Sequence, residues 1–66
     1  TIENIMSIEE AKQIAVETVG GKVIEIELDE DDHRYEYEID MITDVGEVEV
    51  TMDAVTGTIL EQELDD

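Results

Sequence analysis

Apolar and polar positions along the chain change their rhythm once, at Gly20-Gly21. Before that point the apolar residues return at helical spacing. At about 100° per residue, Ile8, Ala11, Ile14, Ala15, Thr18 and Val19 share one arc, with Glu9, Lys12, Gln13 and Glu17 opposite. This is the pattern of a helix that buries one face. Ser7-Ile8-Glu9-Glu10 marks its start, because the Ser7 hydroxyl can accept from the Glu10 amide while the Glu10 carboxylate reaches back to the Ser7 amide. Gly20-Gly21 marks its end, since a C-terminal cap commonly needs positive φ, where a Cβ would clash.

From Lys22 onward the period is two. Ile24, Ile26 and Leu28 alternate with Glu25, Glu27 and Asp29, and the polar cluster Glu30-Asp31-Asp32-His33 interrupts the run. Tyr35, Tyr37, Ile39 and Met41 then alternate with Arg34, Glu36, Glu38 and Asp40. Val48, Val50 and Met52 alternate with Glu47, Glu49, Thr51 and Asp53. Thr43-Asp44-Val45-Gly46 is short enough for a hairpin, which makes the second and third strands antiparallel neighbours. A turn over Asp53-Ala54-Val55-Thr56-Gly57 leads to Thr58-Ile59-Leu60, expected as a short fourth, edge strand; Glu61 to Asp66 receive no element. The predicted fold class is α+β: one N-terminal helix packed on an antiparallel β-meander of three to four strands.

Composition narrows this picture. Sixty-six residues allow one domain with one thin core, and a core of this size supplies about 3 to 5 kcal/mol. The absence of cysteine removes disulfides, thiolate catalysis and cysteine-ligated zinc. No apolar run approaches the length of a membrane span, so no membrane insertion is expected. Because the chain starts at Thr1 rather than Met, it is expected to be a piece of a longer or secreted protein.

Charge changes the picture most. With 21 Asp and Glu against 3 Lys and Arg, the formal net charge is −18, which repels nucleic acid and anionic membrane. A hydrophobic content of 41%, periodically placed, argues for a folded chain despite that charge. Side by side, the strands put Glu25, Glu27, Glu36, Glu38, Asp40, Glu47 and Glu49 on the face opposite the helix. That face reads either as a docking surface for a basic protein partner or loose cation trap, or as a solubilising surface. The second is the ordinary use of exposed charge.

Other candidate chemistry is thin. Paired carboxylates act as acid and base only where a concave site desolvates one of them, and a flat wet sheet offers none. Asp29, Asp31 and Asp32 resemble the start of a calcium loop. The loop pattern, however, needs Gly at its sixth position and Glu at its twelfth, where Arg34 and Asp40 stand, so a solvated turn is expected. His33 is the single histidine, which leaves no two-histidine metal site and no histidine-based triad. Ser7 is committed to the helix cap. Tyr35 and Tyr37 share a strand face as core or core-edge rings, and Met6, Met41 and Met52 read as core fillers. No catalytic residue and no cofactor are expected. An open sheet edge on the first or fourth strand offers a route to a homodimer.

Taken in order, several of these residues resemble the PepSY domain family. They are Ile8, Glu10-Ala11 and Ile14-Ala15 on the helix, Gly20-Gly21 with Val23, then Ile26, Leu28, Tyr35, Tyr37 and Ile39. The most specific piece closes the match: Asp53-Ala54-Val55-Thr56-Gly57-Thr58-Ile59-Leu60. One departure is His33, where many members carry glycine at the tip before the second strand. The resemblance implies a non-catalytic binding module from a bacterial secreted or cell-envelope protein. It also implies a protein partner, in propeptides a secreted metallopeptidase that the module restrains or helps to fold.

Overall fold

The structure is a computed structural model that describes residues 4–65; the side chain of Asp31 lies outside the described set. Helix α1 spans Ile8–Val19 and starts as its sequence dictates: the Glu10 N–H donates to Ser7 Oγ at 3.1 Å, and the Ser7 N–H donates to Glu10 Oε1 at 3.3 Å. It stops at Gly20, where φ is +88° and the N–H donates back to Val16 O at 3.0 Å. Ala11 and Ala15 are its fully buried residues. Two methyl side chains at the contact let the helix backbone lie close over the sheet.

The sheet is a meander in the order β1-β2-β3-β4, every neighbouring pair antiparallel: β1 Lys22–Asp31, β2 Arg34–Thr43, β3 Gly46–Asp53 and β4 Ile59–Asp65. The α+β architecture predicted from the sequence is thus present, with all four strands. Helix α1 lies across β1 and β2. Tyr37, Ile39 and Met41 of β2 and Val48, Val50 and Met52 of β3 form the buried side of the sheet beneath it, completed by Ala54. Met6, Ile14, Val23, Ile26 and Ile59 close the rim of this core. Tyr37 is buried with its hydroxyl donating to Met6 O at 2.7 Å, which satisfies the one polar atom the ring carries inside.

Three local expectations need correction. First, a β-bulge between Val23 and Glu25 breaks the simple alternation of β1: Val23 and Ile26 pack on the core, whereas Ile24 is 51% exposed. A bulge adds one residue to one strand, so the parity before it is offset from the parity after it. Second, Glu30 and Asp31 belong to β1, paired with Tyr35 and Arg34, so the polar cluster is not a loop. The turn is Asp32-His33 alone, with φ of +55° and +71°, the signs of a two-residue type I′ hairpin. His33 therefore adopts the left-handed conformation directly where glycine would be easier. Third, β4 continues through Glu61 to Asp65, pairing with β3 along its length.

The turn between β3 and β4 ties the fold together. Asp53 Oδ1 accepts the N–H groups of Val55 at 2.8 Å and Thr56 at 3.0 Å, and Asp53 O accepts that of Gly57 at 2.9 Å. The Ala54 N–H donates to Tyr35 O and the Met6 N–H to Ala54 O, both at 2.9 Å, which links the chain before α1, β2 and the turn. At Gly57, φ is +81°, the left-handed conformation that favours glycine; a Cβ there would press only on the tips of the Ile14 and Met6 side chains, at 2.9 and 3.3 Å.

Candidate functional site

Strand pairing arranges the acids of the open face in transverse rows. Glu25 of β1 faces Asp40 of β2, Asp40 faces Glu49 of β3, and Glu49 faces Glu63 of β4. One step along, Glu27 faces Glu38, Glu38 faces Thr51, and Thr51 faces Glu61. A third row joins Asp29, Glu36 and Asp53. Glu47 sits between Ile42 and Asp65 in a fourth. The candidates Glu25, Glu27, Glu36, Glu38, Asp40, Glu47 and Glu49 thus lie together on the side away from α1.

Glu61, Glu63 and Asp65 extend the same surface onto β4, and sequence reasoning had left them without an element. The signal was present: these acids alternate with Gln62 and Leu64 at period two, but with little apolar content to mark a strand.

Directly opposed side chains on an antiparallel pair have Cβ atoms about 4.5 to 5.5 Å apart, and like charges so placed repel. The consequence is clearest at Glu38, in the middle of the sheet. Its pKa is raised, first by burial of its carboxyl and then by the negative charges of Asp29, Glu49 and Glu27, and a side-chain hydrogen bond with Asp29 pushes the same way. The dimple at the centre of the face is lined by Glu25, Glu27, Glu38, Asp40 and Glu49, carboxylates alone. Cations are scarce: among the described residues, Arg34–Glu36 at 3.9 Å is the one ion pair, with Arg34 largely exposed.

Asp53 belongs to the same surface by register but is occupied differently. The N–H groups of Thr56 and Val55 hold its carboxylate and lower its pKa; Arg34 adds a smaller push in that direction. It is a turn-building acid rather than a free one. Of the residues weighed for calcium, Asp29 lies on the acidic face opposite Glu36, Asp32 lies in the hairpin turn, and the side chain of Asp31 lies outside the described set. Among the described residues no three His, Asp or Glu side chains are grouped so as to hold a metal ion.

The two faces also differ in how completely they are covered. At the C-terminal end of α1, the core side of the sheet opens into a groove lined by Val19, Thr43, Val45, Val48 and Gln62. Leu64, opposite Val48, is 48% exposed beside it.

Comparison with known proteins agrees with this architecture. The PepSY model, described as "Peptidase propeptide and YPEB domain", matches residues 5–63. A Bacillus subtilis (strain 168) protein, YkoJ, described as uncharacterized, is 48% identical over 59 residues, which cover 88% of this chain and 35% of that protein. A crystal structure from Clostridium difficile 630, provisionally described as a lipoprotein, superposes with a TM-score of 0.83 at 32% identity, covering 96% of this chain and 41% of the other. The chain therefore spans well under half the length of either relative.

Proposed function

The chain belongs to the PepSY family, and from that premise we propose that it is a non-catalytic protein-binding module that restrains or assists a secreted peptidase. It is read as one domain of a longer bacterial protein that acts outside the cytoplasm. The family match over residues 5–63, with its peptidase-propeptide description, is the observation that carries this reading. The lipoprotein description of the structural relative supports the location. The face formed by Glu25, Glu27, Glu36, Glu38, Asp40, Glu47 and Glu49 supplies the docking surface. Its repulsion is relieved when a basic partner brings cations to it, so binding and relief of internal strain have the same sign.

The test mixes the purified chain with the secreted metallopeptidase encoded beside or within its parent protein. Co-elution, together with a salt-sensitive loss of peptidase activity, is expected. Full activity and separate elution at micromolar concentrations of both would overturn the proposal.

A second reading, an acidic structural or cation-associating domain with no dedicated protein partner, is favoured by one observation: the carboxylate rows carry a single ion pair among the described residues. Titration with calcium chloride separates the two. Stoichiometric heat with ordered carboxylate shifts supports the cation reading, whereas diffuse screening equal to that of sodium chloride at matched ionic strength removes it.

A further inference from the structure

We infer that the open edge of β4 takes an added strand: an extended peptide in which basic residues alternate with apolar ones. The inference deepens the binding role proposed above and rests on it for the identity of the natural partner.

Among the described residues strand β4 pairs with β3 on one side only, so every second residue turns its N–H and C=O outward. From Glu61 to Asp65 the register with β3 is unbroken, running Thr51↔Glu61, Val50↔Gln62, Glu49↔Glu63, Val48↔Leu64 and Glu47↔Asp65. A regular edge of this kind is a template for backbone pairing. Its two faces set what an incoming strand must carry. On one side Glu61, Glu63 and Asp65 end the transverse acid rows, so residues placed opposite them meet carboxylates backed by further carboxylates. On the other side Leu64 is half exposed, and the groove between the end of α1 and the β2–β3 turn, lined by Val19, Val45, Val48 and Gln62 with Asp44 at its rim, is open. Since side chains alternate between faces along a strand, one extended peptide meets both demands only by alternating basic with apolar residues.

The charge also disfavours a second copy of this chain as the occupant. An antiparallel β4–β4 pair would set Glu61, Glu63 and Asp65 against the same acids, in molecules that each carry −18. The opposite edge is less suited. Each edge strand carries one bulge, near Val23 in β1 and at Leu60 in β4, but α1 already lies over the core side of β1.

The probe is a synthetic, fluorescently tagged peptide of about six residues, the common strand length, alternating lysine and valine. Two controls have the same composition: one with the lysines grouped together, and one with alternate amides N-methylated to block pairing on the edge that faces β4. Affinity is read by fluorescence anisotropy and position by amide hydrogen exchange. The alternating peptide should bind and slow exchange along β4, and both controls should bind about tenfold more weakly or worse, because each loses backbone pairing or face matching. The double variant Glu61→Lys/Glu63→Lys, which lessens repulsion in the free chain, should fold normally and lose about tenfold in affinity. Controls that bind as well as the alternating peptide, or protection on β1 instead of β4, would overturn the inference. A peptidase still restrained by the double variant would sink this inference and leave the binding role standing. A peptide that binds while the peptidase is unaffected would do the reverse.

Discussion

The two sides of the sheet are clearest in β2 and β3, where they come from the same strands and differ by one residue of phase. On the core side, Tyr37, Ile39, Met41, Val48, Val50 and Met52 are buried under α1 and leave no buried side-chain polar atom without a partner among the described residues. On the other side, Glu36, Glu38, Asp40, Glu47 and Glu49 interleave with them, and acid stands opposite acid at Asp29–Glu36, Glu36–Asp53, Glu27–Glu38, Glu25–Asp40 and Asp40–Glu49. The comparison separates two jobs. One side holds the domain together; the other costs stability and is retained for solubility or for a partner. Replacing neighbouring residues of a single strand should therefore have opposite signs.

The largest break in that comparison comes from Ile39, fully buried at the centre of β2. Ile39→Ala should cost about 2 to 5 kcal/mol through lost burial and the cavity left behind. Against the roughly 3 to 5 kcal/mol that a core of this size supplies, that removes about half of the stability or all of it. Urea denaturation followed by circular dichroism checks it; a variant that keeps the parent midpoint would mean that this side does not hold the domain.

A smaller effect sharpens the comparison from the acidic side, where one carboxylate is structural. Asp53→Ala removes the acceptor for the Val55 and Thr56 amides and should cost about 1 to 2 kcal/mol, while Asp53→Asn, which keeps an oxygen at that place, should cost much less. If thermal melts show the two variants equally damaged, the charge rather than the hydrogen-bonding geometry is what matters at this turn.

The register that keeps the two sides apart is set partly at the Asp32-His33 turn, since a slip of one residue would send every side chain to the opposite side. His33 holds φ at +71°. His33→Gly removes that local strain and should raise stability by about 0.5 to 1 kcal/mol, read as a higher melting temperature. A lower melting temperature would mean that the imidazole makes a contribution of its own.

How much of this was legible in the sequence follows from where the signals were redundant. Helix α1 carried a capping box, a periodic face and a glycine stop, and all three agreed. Strands β2 and β3 are covered on one side and wet on the other, so period two marked them plainly. At β1 the bulge after Val23 was hidden, because Ile24 continues the apolar alternation as convincingly as Val23 and only the pairing with Met41 decides between them. At β4 the inner positions are Gln62 and Leu64, poorly covered, and a strand that buries little writes little into its sequence. The acidic side was readable from parity alone, but its extent was not: Glu61, Glu63 and Asp65 joined it only once β4 was in place. The contrast between Glu38 and Asp53 was beyond reach, since both are acids at wet positions and only the backbone amides of the turn distinguish them.

That contrast yields the smallest and most discriminating prediction. Glu38 has a raised pKa in the folded chain, so the folded state binds the extra proton; stability grows as pH falls through that raised value and is fully gained by the ordinary value of 4.5. Asp53 has a lowered pKa, so its contribution is intact above its ordinary value of 3.8 and is lost as pH falls below it toward the folded value. For these two groups the opposed signs make stability rise on mild acidification from neutral pH and fall in stronger acid, with a maximum in between. Added salt should raise the melting temperature at neutral pH by screening the rows of carboxylates, and should do so much less near that maximum. Glu38→Gln should raise stability at neutral pH by about half a kcal/mol, the scale of a cross-strand charge pair, and flatten the rise on mild acidification while leaving the acid limb in place. If melting curves taken across pH instead peak near neutrality in both the parent and Glu38→Gln, the wet side of the sheet does not oppose folding, and the division of labour between the two sides fails.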